Sequence, residues 1–176
     1  MQTPLAQVLG ARSAGLASSV AALHTVPGHR RFRGRATVKR GQGWGLLAAM
    51  VAGFPPPMQD AEFLVEVVPE GNVERWIRRF GRAQTVSVLW AEGAELRERF
   101  GPVTTTLSPE VRPDGTLLMG TGAAAALKVP LPGWLAPKGD ASVWDEDGRY
   151  VFDIGGYVPL VGRVIHYQGW LQPEVP

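Results

Sequence analysis

The sequence predicts an α+β domain that is mostly antiparallel β: a strongly curved sheet or incomplete β-barrel of about eight to ten strands with two short helices. Three observations carry this. Glycine and proline together make up 37 of 176 residues, which suits a turn-rich β-protein and not a helical bundle. Short segments of alternating polarity recur about every 8–12 residues, with glycine-bearing turns between them. Only two segments have helical spacing. Lipocalin-like, lipoprotein-carrier-like and helix-grip-like architectures all fit this pattern.

The first helical segment is residues 16–25, where Leu16, Val20 and Leu23 recur at helical spacing and Pro27-Gly28 ends the run. Residues 1–15 are expected to be a partly flexible or helical lead-in, and residues 16–173 a single domain. Residues 31–40 alternate strictly: Phe32, Gly34, Ala36 and Val38 face one side, Arg31, Arg33, Arg35, Thr37 and Lys39 the other. That is a strand with one buried and one basic face. Residues 44–52 form a second helix with Trp44, Leu47 and Val51 on one stripe, stopped by Gly53-Phe54-Pro55-Pro56-Pro57. From residue 61 onward the chain reads as strands joined by turns at Gly71, Gly81, Gly93, Gly101, Gly115 and Gly148. The stretch 129–139, VPLPGWLAPKG, is irregular.

Composition excludes several functions. The absence of cysteine removes disulfide scaffolds, thiol nucleophiles, iron–sulfur clusters and cysteine zinc sites. No uncharged apolar run is long enough for a transmembrane helix, and the first residues lack the positive flank of a signal peptide. A cytoplasmic location is expected. Residues 1–59 carry seven basic and no acidic side chains, whereas residues 60–176 carry 11 basic and 16 acidic. Arginine outnumbers lysine 15 to 3, a bias that a GC-rich genome also produces.

Several segments keep a fixed order along the chain: PGHRRFRGRATVKRG, GFPPP, ERWIRRFG, ERFGP, DGRYVFDI and VGRVIHYQGWLQP. In that order, from about Leu23 to Pro173, the chain resembles domain-of-unknown-function family 4166. The resemblance implies an accessory domain that occurs alone or fused behind NAD(P)-dependent reductases of the saccharopine-dehydrogenase-like and epimerase-like kinds. It supplies no catalytic residues to carry over, and no cofactor is expected. The chain itself has no glycine-rich nucleotide loop, since Gly120-Thr121-Gly122 lacks the third glycine and the βαβ setting.

The chemistry-bearing residues are few. His24, His29 and His166 have no metal-ligand spacing, so no metal is expected. His166 and Asp153 sit on neighbouring predicted strands and form a candidate acid–base pair, read first as a satisfied polar pair in a sheet. The run Asp145-Glu146-Asp147 is a hairpin turn, its carboxylates too close in sequence for a calcium loop. Arg75, Arg78, Arg79 and Arg82 flank Trp76 and Phe80; alternation splits them between two faces, which favours ion pairs over nucleic-acid binding.

A ligand cavity is expected where aromatic strand positions mix with polar ones. Its candidate lining is Trp76, Arg78, Phe80, Val88, Trp90, Glu98, Phe100, Phe152 and Tyr167. The leading expectation is a non-catalytic module that binds a small apolar or amphipathic molecule. The alternative is a domain that docks an NAD(P)-dependent reductase through Arg31, Arg33 and Arg35, and the third is an enzyme using His166 and Asp153.

Overall fold

The period-two pattern of residues 31–40 becomes β1 (Arg30–Arg40), with Phe32, Gly34, Ala36 and Val38 buried. It is one of eleven strands in a computed structural model that describes residues 2–51 and 53–174. The others are β2 (Met58–Glu70), β3 (Val73–Phe80), β4 (Ala83–Glu92), β5 (Glu95–Phe100), β6 (Val103–Val111), β7 (Leu117–Ala126), β8 (Val129–Pro130), β9 (Lys138–Glu146), β10 (Arg149–Val158) and β11 (Gly162–Pro173). Their pairings are antiparallel, in the order β6-β5-β4-β3-β2-β1-β11-β10-β9-β7, with two-residue β8 on the edge of β7.

β6 also pairs with β7, so ten strands close into a barrel. This corrects the expectation of an incomplete barrel, and ten strands also depart from the eight of a lipocalin. Closure depends on register and strand tilt, which no single strand's pattern encodes. The closing strand β7 bonds β6 on one edge and β9 on the other, and its second half is a featureless run of alanines.

Two inward-facing glycines allow the wall to bend sharply where β1 meets β11. A Cβ built on Gly34 would collide with the carbonyl oxygen of Trp170, and one on Gly169 with that of Arg35.

The described residues form three α-helices, one more than the two expected: α1 (Pro4–Leu9), α2 (Ser18–His24) and α3 (Trp44–Val51), with a 3-10 segment, Gly10–Gly15, between the first two. Thr3 caps α1, its Oγ1 accepting from the Ala6 amide at 3.2 Å, and Pro4 pre-sets the first turn. α1 and α2 plug the end of the barrel where β1 begins and β11 ends; Leu5, Leu9, Val20 and Leu23 join the core there. Asp145 pins α2, accepting from the Ser19 amide at 3.2 Å; the Ser19 side chain, the Gly148 amide and the Ser19 amide hold its carboxyl below the usual range.

α3 lies elsewhere. It packs against the outer side of β11 near the opposite end, not on the concave side of the sheet. Gly41 and Gly45 permit this approach, because a Cβ on either would strike the carbonyl oxygen of Arg163. Ala52, the last residue of the predicted second helix, lies outside the described residues. Among the described residues no helix is long and apolar enough to cross a membrane, and no three His, Asp or Glu side chains are placed to hold a metal ion.

Candidate functional site

The lumen is packed at the plugged end and hollow at the other. Alternation along β3 sends Glu74, Trp76, Arg78 and Phe80 inward. The lower pair belongs to the packed half. There Arg30 and Glu74 form a buried ion pair, and Trp76 donates from Nε1 to Glu74 Oε2 at 3.3 Å. His24 Nε2 meets the Tyr150 hydroxyl at 3.0 Å, its ring 5.2 Å from that of Trp76. Burial, reinforced by the charges of Arg30 and Arg78, pulls the His24 imidazole down to about 3. Burial likewise pushes the Tyr150 phenol up, so both rings are neutral around pH 7.

The upper pair faces a cavity of about 230 Å³ that opens at the unplugged end. Phe54, Phe80, Phe100, Leu107, Met119, Ile154, Ile165 and Tyr167 give it apolar walls; Arg78, Thr85, Glu98 and Thr121 are its interior polar side chains. Arg78 donates to Ser87 Oγ at 2.7 Å and to Glu98 Oε1 at 3.3 Å. Burial is the largest influence and opposes the Arg78 charge, but the charge and hydrogen bond of Glu98, with Tyr167 and Tyr150, together outweigh it and raise the pKa. These bonds engage two of the five N–H donors of the guanidinium, leaving donor capacity beside the cavity. Burial pushes up the Tyr167 phenol as well.

A strap partly covers the opening. After α3, Phe54 reaches over to stack on Phe100 of β5, with ring centroids 5.0 Å apart. Arg40 at the end of β1 ties the strap down, donating to the carbonyl oxygens of Phe54 and Pro55, the latter at 2.8 Å.

A family model described as Domain of unknown function (DUF4166) matches residues 16–171. The chain belongs to this family. The DUF4166 match runs from the residues leading into α2 to near the end of β11, so it contains the whole barrel wall and the cavity. Among solved structures, the chain is similar to a protein of unknown function from the DUF3598 family of Nostoc punctiforme PCC 73102. The two share 12% identity at a TM-score of 0.52, over 82% of this chain and 47% of that one. The chain thus spans about half the length of that structure, and the likeness extends to the fold alone. Comparison with curated proteins gave no match.

Within the DUF4166 barrel the predicted lining residues divide. Arg78, Phe80, Glu98, Phe100 and Tyr167 line the cavity. Trp76 and Phe152 lie in the packed half below it. Val88 and Trp90 fall on the outer face of β4, because Thr85, Ser87 and Leu89 take the inner positions. Sequence reasoning missed Phe54, Thr85, Leu107, Met119, Thr121, Ile154 and Ile165 as lining residues. The alternation of β4, followed with Thr85 inward, was the available signal for one of them.

His166 and Asp153 do meet, Nε2 to Oδ1 at 2.8 Å, but on the outer wall, with Asp153 half exposed. Ile165, Tyr167 and Leu171 take the inner positions of β11. Among the described residues no serine or threonine hydroxyl bonds to either member of the pair. The basic face of β1 is engaged within the molecule: Arg31 and Arg33 each reach Glu174 at 3.1 Å, and Arg35 reaches Asp60 at 2.8 Å.

Proposed function

We propose that this protein is a non-catalytic binding module whose half-open barrel takes a small, largely apolar molecule carrying an oxygen acceptor. The observation that carries this reading is the apolar cavity of about 230 Å³ with a buried charged donor, Arg78, at its inner edge. Ligand sites usually occupy about 300–1,000 Å³, so this one is at the small end. It suits a short chain or a single ring system, or the end of a longer amphiphile whose remainder passes the strap at Phe54. The unpaired N–H groups of Arg78 select a carbonyl, hydroxyl or carboxylate head over a pure hydrocarbon.

The alternative, docking of an NAD(P)-dependent reductase through Arg31, Arg33 and Arg35, has less support because those guanidinium groups already face intramolecular carboxylates. Acid–base catalysis by His166 and Asp153 has less support because the pair is separated from the cavity by the barrel wall.

The test is uptake of a lipophilic naphthylamine fluorophore, displaced by short-chain alcohols and carboxylic acids. Ile154→Trp places bulk in the cavity. It is expected to abolish uptake while the unfolding midpoint stays near wild type. Undiminished uptake by the Trp variant would place the binding site elsewhere and sink this assignment.

A further inference from the structure

The exposed apolar side chains are gathered in one place. Apart from Val26 and Val86, every large apolar side chain exposed among the described residues lies at the unplugged end. Trp44, Leu47 and Met50 project from α3, Leu127 and Trp134 from the β7–β9 connection, and Leu160 from the β10–β11 turn. Trp44 is 74% exposed, Leu127 79% and Leu160 89%. These three protrusions stand side by side along the β1–β11–β10–β9–β7 arc of the rim, beside the mouth of the cavity. Monomeric soluble proteins rarely gather this much apolar surface without a partner for it.

Two further observations bear on what the partner is. Leu127, Lys128 and Leu160 hold φ of 50°, 69° and 69°, a left-handed conformation that glycine or asparagine would adopt at less cost. The chain therefore accepts strain to present leucine at the tips of the rim. The second observation is charge. Lys39, Arg82, Arg99, Lys128, Lys138 and Arg163 all sit at this end, and none has an ion-pair partner among the described residues. Asp140 is the unpaired carboxylate beside them. In the turns of the plugged end Glu70 and Glu92 are ion-paired with Arg75 and Arg97, and the carboxylates of Asp114, Glu146 and Asp147, unpaired among the described residues, share that end with Arg112 and Arg149. The molecule thus has a positive, apolar end at the mouth, whereas the plugged end mixes both signs.

We infer that the rim docks on an anionic lipid bilayer, so that the cavity mouth opens onto the membrane and takes its ligand from there. Interfacial tryptophans, leucine tips and free cations are the chemistry of an interface-binding surface. The apolar arc lies at one end of the barrel, with Arg82 and Arg99 on the opposite side of the rim, so a planar surface can meet both and reach the cavity mouth between them. The transfer step rests on the cavity reading above; the docking itself does not.

Co-sedimentation with vesicles tests it, using phosphatidylcholine alone and phosphatidylcholine with about a quarter phosphatidylglycerol. Wild type is expected to pellet with the anionic vesicles and to release as salt rises, through screening. Trp44→Ser combined with Leu160→Ser is expected to weaken this binding by about tenfold or more. Lys128→Glu with Lys138→Glu is expected to erase the preference for anionic vesicles. All four positions are at least partly exposed, and equal unfolding midpoints would show intact folds. Fluorophore uptake in vesicle-free buffer separates the two readings. Uptake without sedimentation overturns the docking and leaves the cavity reading standing. Sedimentation without uptake supports the docking and removes its cargo. Self-association or protein capture through Trp44 and Leu160, in place of vesicle binding, overturns the proposal.

Discussion

Lowering the pH from about 7 to about 5 should cost the folded protein about 2 kcal/mol through His24 alone. The imidazole is buried against Tyr150 and Trp76, and burial with the nearby charges of Arg30 and Arg78 pulls its pKa from 6.5 to about 3. In the unfolded chain it titrates near its ordinary value. Between the two values the unfolded state binds a proton that the folded state refuses, so stability is full above about 6.5 and falls with pH down to about 3. At pH 5 the gap is about 1.5 pH units at about 1.4 kcal/mol each. Urea unfolding by far-ultraviolet circular dichroism measures this directly. At about 2 kcal/mol per molar urea, the midpoint drops by about 1 M. The carboxylates of Asp60, Glu66, Asp114 and Asp145 are held below their usual range, by hydrogen bonds to Arg35, His29, Thr116 and Ser19 respectively. Their contributions are present above the unfolded carboxylate range and are lost only as pH falls through their folded values, below this window. His24→Gln supplies the control, since it keeps a polar partner for Tyr150 and removes the titration. Its stability should be nearly flat over the same range. A wild-type midpoint that does not move, or a variant that loses as much as wild type, would refute the reasoning.

Further predictions concern the wall and the buried charges. Gly34→Ala should destabilise by about 1–3 kcal/mol or more, because the new methyl meets the rigid carbonyl of Trp170; a thermal scan showing no loss would contradict the close approach of β1 and β11. Glu74→Gln should cost about 3–5 kcal/mol by leaving Arg30 buried without its counter-charge, and the double variant Arg30→Met, Glu74→Leu should be less destabilised than that single change by urea unfolding.

The local design of the barrel was legible where each strand carries its own record. Phe32, Gly34, Ala36 and Val38 announced the inner face of β1, and Gly71, Gly81, Gly93, Gly101 and Gly148 marked hairpin turns that the chain makes at positive φ. Closure was not legible, because it requires β7 to bond on both edges, and Ala123 to Ala126 carry no alternation to orient them. The site was half legible for a different reason. Arg78 and Glu98 stood out as charges on apolar strands, and they do line the cavity together. β4 misled because its larger apolar side chains, Val88 and Trp90, take the outer face, while Thr85 and Ser87 face the lumen and Ser87 accepts from Arg78. Hydrophobicity alone therefore ranked the two faces of β4 in the wrong order. Arg31, Arg33 and Arg35 drew notice as a run of charge, and their carboxylate partners at Glu174 and Asp60 become visible only in three dimensions.

The plugged end also gathers both extremities of the described chain. Thr3 and Pro4 lie beside the β2–β3 turn, and Glu174 is clasped by Arg31 and Arg33 at the start of β1. The mouth is a full strand length away, roughly 25 Å for ten residues after allowance for tilt. Whatever is joined to either extremity, be it an affinity handle, a dye or a second domain, hangs from the plugged end, away from the cavity mouth. Such a tether leaves the rim unobstructed, so the protein can be immobilised by either extremity and still present its opening to solution.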